Sequence, residues 1–168
     1  TYVKNKMKFN NIIGNICLDG IDLELISISL NKKILKTKEN IKKEKEIVIF
    51  SPPKNCTIEV ITNINPIQNS RLEGLYISDE IFVTQCEAQG FRRITYFPDR
   101  PDVLSIYTVK VIGDKKQFPV ILSNGNLISK KVIKNNVEVT WKDPFPKPSY
   151  LFALVAGKLS KTNRKFTT

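Results

Sequence analysis

One stretch of the 168-residue sequence holds residues whose types and spacing could do chemistry: Thr84 to Val103, TQCEAQGFRRITYFPDRPDV. Gln85 and Glu87 stand two apart, so in an extended segment both side chains point to one face. An acid and an amide directed into one space can hold a cation or an amine. Arg92 and Arg93 follow, then aromatics, then Pro98-Asp99-Arg100-Pro101, a rigid turn. Taken as isolated residues, Glu87 reads equally as a surface carboxylate, and Gln85 as a strand-edge amide bonded to backbone. Arg92, Arg93, Asp99 and Arg100 read as ion pairs bracing the loop. Phe91, Tyr96 and Phe97 read as core, and Cys86, pointing opposite its neighbours, as a small buried apolar group.

The rest of the composition narrows the chemistry. There is no histidine, which excludes Ser-His-Asp and Cys-His catalysis within the chain and any zinc site built on histidine. Neither GxxxxGK[ST] nor GxGxxG occurs. The three cysteines, Cys17, Cys56 and Cys86, fit neither a disulfide framework nor a zinc knuckle and favour a reducing, cytoplasmic setting. No apolar run approaches the roughly 18 residues of a membrane span, so no membrane partner is expected. The net charge of +11 invites a nucleic-acid reading. Lysines, however, outnumber arginines about four to one and are scattered, and Lys, Ile and Asn all have AT-rich codons. Base composition accounts for the basicity, and no nucleic-acid partner is expected.

The elements that must position the central stretch read as strands. Tyr2–Phe9 alternates loosely, with Val3, Met7 and Phe9 on one face. Ile16–Leu18 and Leu23–Leu30 flank Asp19-Gly20, a hairpin signal, and ISISL at 26–30 has the period of a half-buried strand. Lys32–Lys45 reads as a short strand and solvated turns. Glu46–Phe50 and Cys56–Ile61 are strands, as are Leu75–Ile77 and Ile81–Val83, joined at Ser78-Asp79. Ser105–Ile112 alternates cleanly, with Tyr107, Val109 and Val111 on one side. Val120–Leu122 is short and apolar, and Val132-Ile133 and Val137–Trp141 form a hairpin about Asn135-Asn136. Asp143–Lys147 and Pro148 read as a stiff connector, because proline supplies no N–H to a central ladder. Tyr150–Ala156, the most apolar run, reads as a buried strand closed by Gly157. The fold class expected is all-β, a mainly antiparallel sandwich or saddle-like sheet. Both ends read as cut, since the first strand starts without a lead-in.

Four blocks then resemble a known family: LEGLY at 72–76, the stretch at 84–103, LSNGN at 122–126 and DPFPKPSYLFALVAG at 143–157. Together they look like the amino-terminal β domain of bacterial aminopeptidase N, a zinc-dependent aminopeptidase of the gluzincin class. The resemblance covers nearly the whole chain. It aligns Gln85, Glu87, Arg92, Asp99 and Pro101 with the family's Gln-x-Glu, Arg-bearing and Asp-x-Pro elements. Gln89 departs from the acidic residue common there, at a position that does not bind the amine.

The resemblance implies that residues 1–168 are the amino-terminal domain of a larger enzyme that removes N-terminal residues from peptides. Zinc and the catalytic residues belong to a following domain, so this chain contributes no metal ligand and no catalytic residue and is inactive alone. Its partners would be a peptide with a free N-terminus and the enzyme's own catalytic domain. Zinc would polarise the scissile carbonyl and activate water, with a glutamate as general base. Glu87 is then expected to bind the substrate's α-ammonium group, and Gln85 to line the pocket for the first side chain. The competing expectation is a self-standing β-sandwich binding module without catalysis.

Overall fold

The computed structural model describes residues 1–36, 41–43, 46–162 and 164–165. They form fourteen strands: β1 (Tyr2–Phe9), β2 (Ile16–Asp19), β3 (Glu24–Leu30), β4 (Lys33–Ile34), β5 (Ile41–Lys43), β6 (Glu46–Ile49), β7 (Cys56–Asn63), β8 (Gly74–Ser78), β9 (Ile81–Gln85), β10 (Ser105–Asp114), β11 (Val120–Ser123), β12 (Asn126–Ile133), β13 (Asn136–Lys147) and β14 (Leu154–Gly157). Two 3-10 turns, Phe91–Arg93 and Ser149–Leu151, are the only helical elements among the described residues. The all-β expectation holds. Of the Lys32–Lys45 reading, β4 and β5 are seen, and the remainder falls largely outside the described residues.

Every strand pairing is antiparallel, in four sheets ordered β1-β7-β3-β4, β2-β6-β5, β11-β14-β9-β8 and β10-β13-β12. Strand β7 shows why these residues choose this state. Cys56, Ile58, Val60 and Thr62 all point inward, alternating with half-buried neighbours. Period-2 alternation gives one apolar face, which only a second layer can cover. Here Ile58, Val60, Met7 and Ile28 share a core with Ile16, Leu18, Ile47 and Ile49 of the β2-β6-β5 sheet. Each of the fully buried aliphatics among them contributes roughly 1.5–3 kcal/mol. Thr62, the polar member of the row, donates to the Ile94 carbonyl at 3.2 Å, so its burial leaves no unmet hydroxyl. A smaller core of Ile121, Val137, Val139 and Ala156 joins the other two sheets.

Three expectations are corrected. Strands β2 and β3 do not form a hairpin: β2 pairs with β6, and β3 with β7 and β4. Asp19 instead exchanges backbone hydrogen bonds with Phe97, at 2.8 and 3.0 Å. Gly20 is there for close approach, since a Cβ on it would lie 2.2 Å from the Tyr96 ring. Second, Asp143–Lys147 is strand, the continuation of β13. Its pairing with β12 ends at Lys142, while pairing with β10 runs on to Lys147 through a bulge. Beyond Lys142 the strand has one free side, where Pro144 and Pro146 are tolerated. Third, Tyr150–Ala156 is strand only from Leu154. The first half is a 3-10 turn with Leu151 exposed. The Asn124 side chain accepts from Ala153 N and donates to Leu151 O, which holds this segment off the sheet.

Smaller shifts follow from bulges and turn chemistry. A bulge between Leu25 and Ser27 turns Ile26 out to solvent, while Ile28 stays buried. The β12–β13 turn is Lys134-Asn135, one residue earlier than read, with Lys134 at φ +56°.

Candidate substrate-binding loop

Gln85 ends β9, where it pairs with Gly74 as the last rung of the β8–β9 ladder. The strand alternation carries one residue further: Gln85 and Glu87 are exposed, and Cys86 between them is buried. Burial, with the negative charge of Asp99 second, pushes the Cys86 thiol up to about 12. It is a packing group and not a nucleophile at neutral pH. The Glu87–Ala88 peptide is cis, and Glu87, Ala88 and Gln89 all face solvent. Gly90 N then donates to Cys86 O at 2.8 Å and closes the arch. A Cβ on Gly90 would sit 2.2 Å from the Gln85 carbonyl oxygen, so no other residue fits there without moving the site.

The arch rests on a braced floor. Arg92 donates from Nε to Asp99 Oδ2 at 2.9 Å and from Nη2 to the Asp99 carbonyl at 2.8 Å, and its Nη1 lies 3.4 Å from Asp19. The Arg92 backbone N–H also donates to Asp99 Oδ2. Ser149 donates its hydroxyl to the other Asp99 oxygen. Burial raises the Asp19 carboxyl above its ordinary value, against the pull of Arg92. Arg93 binds Glu73 at 2.8 Å and pairs with Asp22. Arg100 pairs with Asp102 at the surface. Phe91 stacks edge-on against Phe97 and Phe152, with ring centroids 4.9 and 5.0 Å apart, and Tyr96 is buried beside them. The arginines and aromatics of the stretch are therefore structural, as read.

Against this floor the Glu87 carboxylate stands out: among the described residues it takes no ion pair and no hydrogen bond. The Gln85 side chain turns back on the arch, Nε2 donating to the Glu87 carbonyl oxygen at 3.1 Å. A hollow of about 230 Å³ lies between Asp22, Asn65, Gln68, Arg71 and Arg93, and neither Gln85 nor Glu87 lines it. On their own these residues form an open, exposed surface that presents a carboxylate and an amide without enclosing them. Sequence reading missed Ser149, Asn124 and Thr84 as supports. Thr84 Oγ accepts from Leu154 N at 2.8 Å, tying β9 to β14 beside the site. Hydroxyl and amide residues so distant from their partners carry no local signal.

The peptidase M1 N-terminal domain family matches residues 1–151. The chain belongs to that family. It is 46% identical over 152 residues to a protein named aminopeptidase N from Escherichia coli, an alignment covering 90% of this chain and 17% of that protein. The fold superposes on a Legionella pneumophila aminopeptidase A, crystallised with aspartic acid, with a TM-score of 0.87, at 36% identity over 95% of this chain and 20% of that one. An M1 zinc metallopeptidase variant from Deinococcus radiodurans, bound to a Tyr-Ser-Ala substrate, shares the fold at 14% identity, with a TM-score of 0.78 over 93% of this chain and 37% of that one. The M1 N-terminal domain chain thus spans about a fifth of the Escherichia coli and Legionella proteins. No helix among its described residues is long and apolar enough to cross a membrane.

Proposed function

We propose that residues 1–168 form the amino-terminal domain of a larger zinc aminopeptidase and supply one wall of its substrate cleft. The observation that carries this reading is the Glu87 carboxylate, exposed and without a protein partner among the described residues, on an arch whose floor is tied down by Arg92, Asp99 and Ser149. A peptide's α-amino group has a pKa of about 8 and is largely protonated at neutral pH. A fixed carboxylate meets it with a charge-assisted hydrogen bond worth roughly 1.5–3 kcal/mol. Gln85, on the same face, stands beside the first side chain. The substrate is a peptide with a free N-terminus, a class supported by the Tyr-Ser-Ala substrate in the Deinococcus protein.

The described residues of this chain do not fit a zinc site. The chain has no histidine, and its described residues contain no group of three or more His, Cys, Asp or Glu able to hold one ion. The metal and the catalytic groups would come from the enzyme's catalytic domain. That domain would cover apolar surface left open here, including Phe145, Leu104, Ile106 and Leu151. None of the three cysteines forms a disulfide, which supports a cytoplasmic enzyme.

The test is Glu87→Ala in the full-length enzyme. Losing the anchor lets the scissile carbonyl drift, and a displacement near 1 Å costs about a hundredfold in rate. Steady-state kinetics on alanine, leucine and arginine anilides should show kcat/KM lower by roughly two orders of magnitude on all three. Glu87→Gln should fall less, since its amide oxygen still accepts a bond. Near-parental kcat/KM for Glu87→Ala would reduce Glu87 to a surface charge and end the assignment.

A further inference from the structure

The arch from Cys86 to Gly90 is held at both ends and nearly free between them. Gly90 N bonds to Cys86 O, and the Cys86 side chain is buried. Among the described residues, one hydrogen bond reaches Glu87, Ala88 or Gln89, and it comes from the Gln85 amide, Nε2 to the Glu87 carbonyl oxygen at 3.1 Å. A carbonyl acceptor requires the nitrogen of the amide on that side, which leaves Oε1 and the second N–H for the cleft.

We propose that Gln85 is a positioning residue for Glu87, its side-chain N–H holding the Glu87 peptide so that the carboxylate meets the substrate ammonium already in place. The inference rests on the reading of Glu87 as the ammonium anchor. Without the tie, the exposed arch samples more conformations, and the substrate must order it on binding. That cost falls on substrate and transition state alike, so it raises KM and leaves kcat near the parent value. A solvent-exposed neutral hydrogen bond corresponds to about a threefold to tenfold change.

The experiment uses the full-length enzyme with Gln85→Met, Glu87→Ala and the double variant, assayed on alanine, leucine and arginine anilides. Methionine keeps the length of glutamine and removes the donor. Gln85→Met should raise KM about threefold to tenfold on all three substrates with kcat retained. In the Glu87→Ala background the same change should add nothing, because the group being positioned is gone. A Gln85→Met loss carried undiminished into that background, or confined to one first side chain, would mean that Gln85 acts only by lining the first side chain and not through Glu87, and would overturn the inference. A fall in kcat at constant KM would indicate a smaller folded fraction and would overturn the inference as well. In each of these cases the Glu87→Ala loss itself stands. Parental kcat/KM for Glu87→Ala overturns the anchor reading, and positioning with it.

Discussion

Replacing Asp99 tests whether the floor of the arch is held by the buried charge. Asp99 is 2% exposed and accepts from Arg92 N, Arg92 Nε and Ser149 Oγ. Asp99→Ala strands a mostly buried guanidinium whose remaining counter-charge, Asp19, is 3.4 Å away and itself partly exposed. It also leaves a backbone N–H and a hydroxyl without acceptors. Removing one partner of a buried pair costs about 3–5 kcal/mol, and this site belongs near the middle of that range because Asp19 and the Asp99 carbonyl still hold part of Arg92. Asp99→Asn can keep the geometry, with Oδ1 toward Arg92 and the amide donating to Ser149 Oγ, so it loses mainly the charge. Its cost should be about half that of alanine. Ser149→Ala removes one bond to a charged acceptor, about 1.5–3 kcal/mol, and should be far from additive with Asp99→Ala. Urea unfolding followed by fluorescence of Trp141, the only tryptophan, measures all of these. An Asp99→Ala variant within about 1 kcal/mol of the parent would show that the packing of Phe91, Phe97 and Phe152 holds the floor unaided.

Gly90→Ala should destabilise the chain by about 1–3 kcal/mol through forced overlap with the Gln85 carbonyl, and should cut kcat/KM of the full-length enzyme with it; a silent substitution would mean the arch yields freely. Cys17 is exposed while Cys56 and Cys86 are buried, so a thiol reagent should label one cysteine rapidly in the native chain and all three in urea. Asp143 is held below its ordinary 3.8, chiefly by its hydrogen bond from Lys147. A depressed folded-state value stabilises above pH 3.8 and is lost as pH falls through the lower value. Urea midpoints should therefore drop more steeply below pH 4 in the parent than in Asp143→Asn.

The local pattern of the sequence determined a good deal about this protein. Alternation in Cys56–Ile61, Ser105–Ile112 and Val137–Trp141 is enough to give strands, because a one-faced apolar row is stable only against a second layer. The same period puts Gln85 and Glu87 outward and Cys86 inward. Arg92, Arg93, Asp99 and Arg100 fall close together in one stretch, so ion pairing within it was readable, though not which partner each arginine takes. Tertiary structure alone decided which strands pair. Asp19-Gly20 has the composition of a hairpin turn, yet β2 joins β6, because the contact of Gly20 with Tyr96 and the bonds of Asp19 with Phe97 outweigh a local turn. It also decided that Ser149 reaches Asp99 across fifty residues, and that Pro144 and Pro146 lie in a strand. Proline's missing N–H matters only where a neighbour would receive it, and that neighbour, β12, ends its pairing at Lys142. Alternation is a property of consecutive residues; pairing, free edges and the partner of a buried carboxylate depend on which distant surfaces fit, and no local spacing encodes that.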